Sequence, residues 1–346
     1  MGAATAHGQG LIGEQSDGRA EFQPSGFGCA GDRRRRWSVR NELRLRSKVR
    51  LILVVGGTGT LGRKVARSLL ASGEKVRVMT RVIARADELK ALGAQPVRAD
   101  VRDREALEFA LRGADGVVAA VHSMLGRGEE SSENIDDVGH RALIEAAKNA
   151  EVKHFIYTSV VGASSDHPVD FWRTKARIEG YLRSSGLTYT IIRPTAFMEM
   201  HAYQLIGKQV IEGKRVILFG RGTNRRNFVA ADDVAKTIVG ALKIPSMRGE
   251  TIEIGGPENL SGHDVIAIFE RVSGQKAKVS HVPLTALRVM YRALRPVNPG
   301  VSRIMKAAIV SETSDQTFDP SVFRSKVPIT LTRLEEWARA RMKPAT

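Results

Sequence analysis

An α/β fold built on a doubly wound parallel sheet is predicted by three features of the 346-residue sequence. From residue 50 onward, short β-rich runs alternate with helical patterns, which is typical of βαβ units. The first apolar run passes directly into a glycine-rich turn, and after Pro194 the alternation becomes less regular. Together these features predict a Rossmann-type sheet followed by a smaller C-terminal substrate-binding portion.

The predicted elements follow one another in a regular order. Strands are expected at 51–55, 75–80, 96–99, 116–121, 153–158 and 188–192, and helices at 61–72, 84–92, 103–111, 134–149 and 170–185. Farther on, strands are expected at 215–219 and 251–254, and helices at 232–242 and 261–273. Asp232 or Asp233 is expected to cap the first of these two helices. Because parallel strands place their carboxyl ends at one edge of a sheet, we expect ligands to bind there.

The most specific motif is LILVVGGTGTLG at residues 51–62, where the spacing is both GxxGxxG and GxGxxG. Glycines at these positions permit a tight turn, close approach of backbone N–H groups to a pyrophosphate, and close packing of helix on strand. The N-terminus of the following helix offers unpaired N–H groups to the same anion. The sequence therefore predicts a dinucleotide site that includes Gly56, Gly57, Thr58, Gly59, Thr60, Leu61 and Gly62.

The end of the second predicted strand indicates which dinucleotide binds. NAD-specific sites usually carry an acidic residue roughly 20 residues beyond the glycine turn, whereas this chain has Thr80 and Arg81 there. A guanidinium can pair with a 2′-phosphate, and Arg85 is one turn away. We expect NADP(H) to be preferred, with NAD(H) as the alternative. Asp100, after the third strand, is expected to accept a hydrogen bond from the adenine amino group.

Composition limits the class of protein. The net charge is +17, of which residues 1–50 contribute +5 (ten Lys/Arg, five Asp/Glu), leaving +12 for the remainder. Basic chains can bind nucleic acid, but no helix-turn-helix, zinc-finger or RNP pattern is present, so we expect an acidic ligand and no nucleic acid. Cys29 is the only cysteine, and no spacing of His, Asp or Glu indicates a metal. No apolar run approaches the ~20 residues that cross a bilayer, and we expect a cytoplasmic protein.

Three regions are predicted. Residues 1–48 are rich in glycine, contain four consecutive arginines at 33–36 and lack a periodic apolar pattern, which predicts a disordered basic extension. Residues 49–260 are predicted to form the dinucleotide-binding domain, and residues 261–346 a C-terminal α/β substrate or lid region.

Several ordered motifs between about residues 50 and 260 resemble those of atypical short-chain dehydrogenases/reductases, and more narrowly the NmrA-like group. They are VVGGTGTLG, YTSVVGA at 157–163, FWRTKARIEGYL at 171–182, SGLTYTIIRPTAFMEM at 185–200 and NFVAADDVA at 227–235. The resemblance implies a Rossmann sheet, NAD(P) binding and a substrate pocket built by the C-terminal part.

The resemblance also implies catalytic residues. In the best-known branch of the family, a Tyr-x-x-x-Lys helix supplies a proton donor and a lysine that holds the nicotinamide ribose, while a serine polarises the carbonyl. Ser159 and Lys175 match this pattern, but Phe171 stands where the tyrosine would be. Phenylalanine cannot donate a proton, so the departure weighs against standard carbonyl reduction and leaves cofactor binding intact.

Three alternatives follow from Phe171. Lys175 could act in proton transfer if its surroundings lower its pKa. Tyr203 or His201 could replace the missing donor. The protein could also bind dinucleotide without turnover, as regulatory NmrA-like members do. The expected pocket comprises Phe171, Phe197, Met198, Met200, His201 and Tyr203.

These residues lead to one predicted function and one alternative. We predict hydride transfer from NADPH to a small apolar acceptor such as a quinone or enone, with Lys175 and Ser159 as catalytic residues. The alternative is a non-catalytic NADP(H)-binding redox sensor, or an assembly factor for a membrane complex.

The segment 276–306 carries seven Lys/Arg and no Asp or Glu. Within it, Arg288, Arg292 and Arg295 share one helical face, and apolar residues lie mostly opposite: Leu284, Leu287, Tyr291 and Leu294. A basic amphipathic helix can lie on an anionic membrane. Two interpretations therefore stay open for this segment: peripheral contact with an anionic membrane, and a domain helix with a solvated basic face.

Overall fold

The structure, a computed structural model, describes residues 50–321, 323, 327 and 329–342. The predicted disorder of residues 1–48 lies outside these residues. The strands are β1 (Leu51–Val55), β2 (Lys75–Thr80), β3 (Gln95–Arg98), β4 (Gly116–Ala119), β5 (His154–Thr158), β6 (Tyr189–Pro194), β7 (Ala196–Phe197), β8 (Arg215–Phe219), β9 (Arg226–Val229), β10 (Thr251–Ile254), β11 (Asn259–Leu260) and β12 (Lys278–Val282).

The helices alternate with these strands. They are α1 (Thr60–Ala71), α2 (Asp87–Ala91), α3 (Arg104–Leu111), α4 (His140–Asn149), α5 (Asp170–Ser184), α6 (Lys208–Ile211), α7 (Ala231–Lys243), α8 (Gly262–Ser273), α9 (Leu284–Leu294), α10 (Pro299–Thr313) and α11 (Leu334–Met342). Short 3₁₀ turns occupy Ile83–Ala86, Gly128–Glu130 and Pro245–Met247, and π-helical turns precede α4 (Glu133–Gly139) and α6 (Met198–Gly207).

Seven parallel strands form the central sheet in the order β10-β6-β5-β4-β1-β2-β3. Val55 at the end of β1 pairs with Met79 of β2 on one side and with Ala119 of β4 on the other. The strand order therefore reverses direction at β1, and in such sheets ligands bind in the crevice at this switch point. The predicted doubly wound sheet is confirmed.

The central strands are apolar without interruption because both faces of the sheet are covered. On one face, Ile52 and Val54 pack with α1 and α7. On the other, Leu53 and Val55 pack with α3 and α4. Burial on both faces fixes the register of β1, and with it the position of the glycine turn that follows.

The C-terminal portion has its own small core. Strands β7, β9 and β11 form one sheet, and β8 pairs in parallel with β12. Helices α8 and α11 pack here through Phe269 and Trp337, in one cluster with Phe228 of β9. No helix within the described ranges combines the length and apolar character that crossing a membrane requires.

Local differences from the prediction have physical causes. The strand expected at 116–121 ends at Ala119, and β6 continues to Pro194, its last residue, where a proline costs little ladder bonding. The expected aspartate cap on α7 is wrong. The residue before the helix is Ala230, and Glu199 instead accepts from the N–H of Ala231 at 3.2 Å.

The two aspartates near the start of α7 have other partners. Asp232 binds Lys64 at 2.6 Å. Asp233 is buried and accepts from the backbone N–H of Thr332 at 2.7 Å. These contacts fasten α1 and the chain before α11 to α7.

Candidate active site

The glycine turn forms a tight cradle between β1 and α1. Gly56 has φ +76°, a left-handed conformation that favours glycine, and its carbonyl accepts from Gly59 N at 3.0 Å. A Cβ on Gly62 would lie only 2.2 Å from the Gly56 oxygen. In the described part of the chain, α1 has neither a side-chain cap nor an acidic residue in its first turn. The unpaired N–H groups and the absent side chains fit a diphosphate.

The cradle touches the ends of two neighbouring strands. A Cβ on Gly56 would meet Val121, just beyond β4, at 3.0 Å. On the other side, Thr58 Oγ1 lies 3.2 Å from Thr80 Oγ1 at the end of β2. A dinucleotide held by the cradle is therefore flanked by the end of β2 on one side and by residues 120–122 on the other.

An ion-pair network that we did not predict occupies the expected adenosine end. Arg81 contacts Glu130. Arg102 binds Asp100 through its Nη2 at 2.7 Å and its Nε at 2.9 Å, and it lies 3.4 Å from Glu130. The hydrogen bonds from Arg102 lower the pKa of Asp100. The structure thus brings Arg81 and Asp100 together through Arg102 and Glu130, and Asp100 holds Arg102 in place.

Lys175 lies almost completely buried in α5, with 3% of its surface exposed. Its Nζ donates to the carbonyl oxygen of Thr158 at 3.2 Å, at the end of β5. The ammonium also lies over the rings of Tyr157 and Phe171, at 4.9 and 5.4 Å from their centroids. Desolvation lowers the pKa of Lys175 despite the opposing charges of Asp136 and Glu179. A buried amine at the carboxyl edge of the sheet is available for hydrogen bonding and charge stabilisation.

The carboxylate nearest to Lys175 belongs to Asp136, which the sequence analysis missed. Asp136 is fully buried, and its Oδ1 lies 3.7 Å from Lys175 Nζ. Its Oδ2 accepts from Ser132 Oγ at 2.7 Å and from Ser123 N at 3.0 Å. Asp136 sits in a π-helical turn, and nothing in its sequence neighbourhood points to Lys175.

Phe171 and His122 form an aromatic pair beside Lys175. Phe171 is buried, and the His122 ring stands edge-on to it at 6.1 Å. The His122 side chain is exposed, although much of the protein surrounds it, and it lies on the wall of the cleft at the carboxyl edge of the sheet. Desolvation lowers the pKa of His122, and the nearby charge of Lys175 lowers it further. His122 was also missed, although it follows a predicted strand at the edge where ligands were expected.

Ser159 and Glu179 form a second polar group near Lys175. Ser159 is buried just after β5, and its N–H donates to Ile192 at 2.8 Å. Its hydroxyl lies beside Glu179. The Glu179 carboxylate binds Arg193 at 2.7 Å and Arg183 at 3.0 Å. Glu179 is therefore neutralised by arginines and does not form a surface pair with Lys175.

The remaining residues of the expected pocket separate into two groups. Met198 is buried in the C-terminal core, and Tyr203 packs against Phe269 and Trp337 with ring centroids at 6.2 and 5.7 Å. Met200 is exposed, while Phe197 and His201 are half-buried. Burial lowers the pKa of His201 to about 4, so its imidazole is neutral near pH 7. Of the expected pocket residues, Phe171 is the one that the structure places against Lys175.

Helix α10 is fastened next to this aromatic pair. Arg303 binds the Asp170 carboxylate at 2.9 and 3.0 Å and the Met124 carbonyl at 2.7 Å. Asp170 directly precedes Phe171, and Met124 lies two residues after His122. The C-terminal portion therefore borders the cleft that holds Lys175.

Cavities also lie away from this site, in the C-terminal portion. One of about 830 Å³ is lined by residues that include His263, His281 and Glu312. None of its lining residues belongs to the glycine turn or contacts Lys175. We assign the chemistry to the edge of the sheet because the buried amine and the cradle meet there. Within the residues that the structure covers, no cluster of His, Cys, Asp and Glu could hold a metal.

The doubly wound parallel sheet and the glycine cradle at its switch point define a Rossmann-type protein with a dinucleotide-binding fold. The sequence matches the NmrA-like family over residues 48–338, and the chain belongs to that family. The expected resemblance is confirmed.

Relatives in this family differ in what they do. The chain is 32% identical over 235 residues to the NAD(P)H azoreductase of Xenophilus azovorans, covering 68% of this chain and 78% of that protein. It is 30% identical over 245 residues to the photosystem II assembly factor Ycf39 of Trieres chinensis, covering 69% and 74%.

A solved structure shows the same fold. The NADPH-dependent quinone oxidoreductase of Escherichia coli, complexed with NADPH, superposes with a TM-score of 0.68 at 23% identity, covering 84% of this chain and 100% of that one.

Proposed function

We propose that this protein is an NADPH-dependent oxidoreductase that transfers hydride to a small apolar acceptor such as a quinone or an enone. The observation that carries the proposal is the position of Lys175. Its buried amine lies at the same sheet edge as the glycine cradle, beside the aromatic wall of Phe171 and His122. The azoreductase and quinone oxidoreductase relatives support this function.

In this proposal the bound nicotinamide supplies the hydride, and the chain's own residues orient the reactants. The glycine turn holds the diphosphate through backbone N–H groups. Lys175, fixed by Thr158 and balanced by Asp136, donates hydrogen bonds to the ribose and stabilises negative charge that develops on the acceptor. We assign Ser159 a supporting role at the same strand end. An acceptor that is already electrophilic needs no tyrosine acid, which makes Phe171 acceptable.

NADP(H) is proposed to be preferred over NAD(H). Glu130 lies between the guanidinium groups of Arg81 and Arg102. A carboxylate held by two arginines at the end of β2 marks a place that suits the 2′-phosphate, which would take over those contacts. The basic charge of the folded part favours the same choice.

The test is steady-state NADPH oxidation with quinones, azo dyes and enones as acceptors. Lys175→Ala is expected to lower kcat/KM on the order of 100-fold or more, in line with the loss of one polar catalytic group. Lys148→Ala is the matched control, since Lys148 is exposed near the end of α4, and it should behave like wild type. Turnover unchanged in Lys175→Ala would refute the catalytic role.

The second candidate function is a non-catalytic NADP(H)-binding assembly factor at a membrane. Two observations favour it: the likeness to photosystem II assembly factors, and the outer face of α9. Tight NADP(H) binding without turnover on any acceptor, together with a stable complex with a defined membrane protein, would establish this function and overturn the enzyme.

The outer face of α9 suits an anionic membrane. Leu287 is buried against the protein, whereas Arg288, Arg292 and Arg295 are exposed and form no ion pair with any described residue. Exposed apolar side chains lie among them, with Val289 at 66% and Met290 at 41%. Such a surface combines electrostatic attraction with shallow apolar insertion. We propose a cytoplasmic protein with peripheral membrane contact through residues 276–306.

A further inference from the structure

The aromatic wall of the cleft contains a histidine for which the proposed function gives no role. His122 follows β4 by three residues, and the chain just before it contacts Gly56 of the cradle. Its ring lies 6.1 Å from that of Phe171 at an interplanar angle of 72°. The imidazole thus stands next to the position where the family's best-known branch carries its tyrosine.

The ring nitrogens of His122 are free to bind a ligand. Among the residues described, none donates to or accepts from either nitrogen, and the side chain is exposed to the cleft. The buried histidines of the chain differ. His140 Nδ1 bonds to the Ile135 carbonyl at 3.0 Å, and His154 Nε2 bonds to Thr190 Oγ1 at 2.9 Å. His140 and His154 are held by the fold, and His122 is not.

The surroundings of His122 keep the imidazole neutral. Desolvation and the nearby Lys175 charge disfavour the imidazolium, and only Asp136 opposes them. A neutral imidazole has one N–H donor and one acceptor nitrogen. At neutral pH the ring therefore presents a hydrogen-bond donor to the cleft without adding a charge.

We propose that His122 donates a hydrogen bond from its neutral ring to the carbonyl oxygen of the acceptor, a contact that Phe171, which carries no donor, cannot make. This inference rests on the proposed oxidoreductase function and specifies how the acceptor is recognised. It selects acceptors with a carbonyl oxygen, quinones and enones, over apolar molecules without one.

The chemistry balances without a proton from the protein. When the nicotinamide supplies its hydride, an enone gains a C–H bond at its β-carbon, the C=C electron pair shifts, and the carbonyl oxygen becomes negative. The His122 N–H stabilises that oxygen and keeps its own proton. Water then protonates the enolate, and the nicotinamide is left oxidised. A neutral histidine next to a developing oxyanion acts in the same way in other enzymes.

The experiment compares His122→Phe with His122→Gln. Phenylalanine keeps the ring and removes the donor, so kcat with a quinone or an enone should fall on the order of 100-fold, as for an oxyanion-hole donor. Glutamine retains an N–H donor and should restore part of the loss. His263→Phe is the matched control, since His263 is an exposed histidine whose ring bonds to the Arg221 carbonyl at 3.0 Å, and it should leave kcat unchanged.

Two further measurements separate recognition from a merely structural effect. Calorimetric titration of a benzoquinone into NADP⁺-saturated protein measures acceptor affinity without turnover. His122→Phe should weaken this affinity roughly ten-fold, about the value of one hydrogen bond, while NADPH affinity and Tm stay at wild-type values. In wild type, kcat should not fall as pH rises through about 6.5, the ordinary pKa of an imidazole, because the ring acts in its neutral form.

The outcomes are distinct. Wild-type kcat and quinone affinity in His122→Phe would overturn the inference and leave the oxidoreductase function standing. A kcat that falls as pH rises through about 6.5 would also overturn it, by showing an imidazolium acid. If wild type turns over no acceptor, the oxidoreductase function fails. In that case, a quinone affinity that falls in His122→Phe would still support the hydrogen bond between His122 and the quinone. A quinone affinity that is unchanged in His122→Phe would overturn that hydrogen bond.

Discussion

Replacing Gly62 by alanine tests the cradle most directly. The added Cβ would lie 2.2 Å from the Gly56 oxygen and 2.8 Å from Gly56 C and Gly57 Cα, so backbone must move by about 0.8 Å to reach the closest approach of real Cβ atoms. Overpacking costs about 1–3 kcal/mol, and alanine returns about 1 kcal/mol of helix propensity. We expect the free energy of unfolding to fall by up to about 2 kcal/mol.

The same movement displaces the atoms that would bind the cofactor. Opening the contact pulls the Gly56 carbonyl away from Gly59, breaking a 3.0 Å hydrogen bond and spreading the N–H groups of the turn. We expect NADPH affinity to fall at least about ten-fold, which corresponds to about 1.4 kcal/mol. Calorimetric titration measures the affinity, and urea unfolding measures the stability.

Gly180→Ala is the matched control. Gly180 is an exposed glycine within α5, and a Cβ there meets nothing within 4 Å. The substitution should raise the free energy of unfolding by about 0.5–1 kcal/mol and leave NADPH affinity unchanged. Wild-type NADPH affinity in Gly62→Ala would refute the view that the turn binds the diphosphate.

Three other predictions concern separate parts of the molecule. Glu130→Gln removes the carboxylate that competes for Arg81. Measured by calorimetry, the affinity for NADPH should rise a few-fold at low salt, while the affinity for NADH should not change. Equal effects on the two affinities would argue against a site for the 2′-phosphate. Burial lowers the pKa of His154 from 6.5 to about 4, so the unfolded chain binds the proton first as pH falls, and the free energy of unfolding drops by about 3 kcal/mol between those two pH values. Urea unfolding of His154→Gln should show a shallower drop than wild type. An identical pH dependence would contradict the lowered pKa of His154. Changing Arg288, Arg292 and Arg295 together to glutamate should abolish binding to vesicles rich in anionic lipid, since each basic residue contributes about 1 kcal/mol. Binding is measured by co-sedimentation, with vesicles of neutral lipid as the control. Sedimentation that does not depend on the arginines would exclude this surface as the membrane contact.

Much of the fold was predictable because local sequence determines it. The glycine turn, its flanking strand and helix, and the seven strands of the main sheet follow from apolar runs and breakers that need no distant partner. Lys175 was placed by its motif. Asp136 was not predicted, because this buried carboxylate lies 39 residues before Lys175 in the sequence and reaches Lys175 only through the packing of a π-helical turn against α5.

The pocket residues that lie away from Lys175 also have a local explanation. Tyr203 and Met198 were expected in an open pocket, but the π-helical turn that contains them presents Met198, Ala202 and Ile206 to the C-terminal core. The position of Arg102 between Asp100 and Glu130 depends on a loop that returns from β4 to the end of β2. No periodicity encodes that return.

The order of strands has a consequence for how the chain matures. β10 pairs with β6 although β7, β8, β9 and α7 lie between them in sequence. Closing so long a segment is entropically slow, and parallel pairs of this kind form late. During synthesis, the outer edge of β6 therefore stays unpaired until Thr251–Ile254 has left the ribosome. A chain interrupted before that point exposes a hydrophobic strand edge that promotes aggregation.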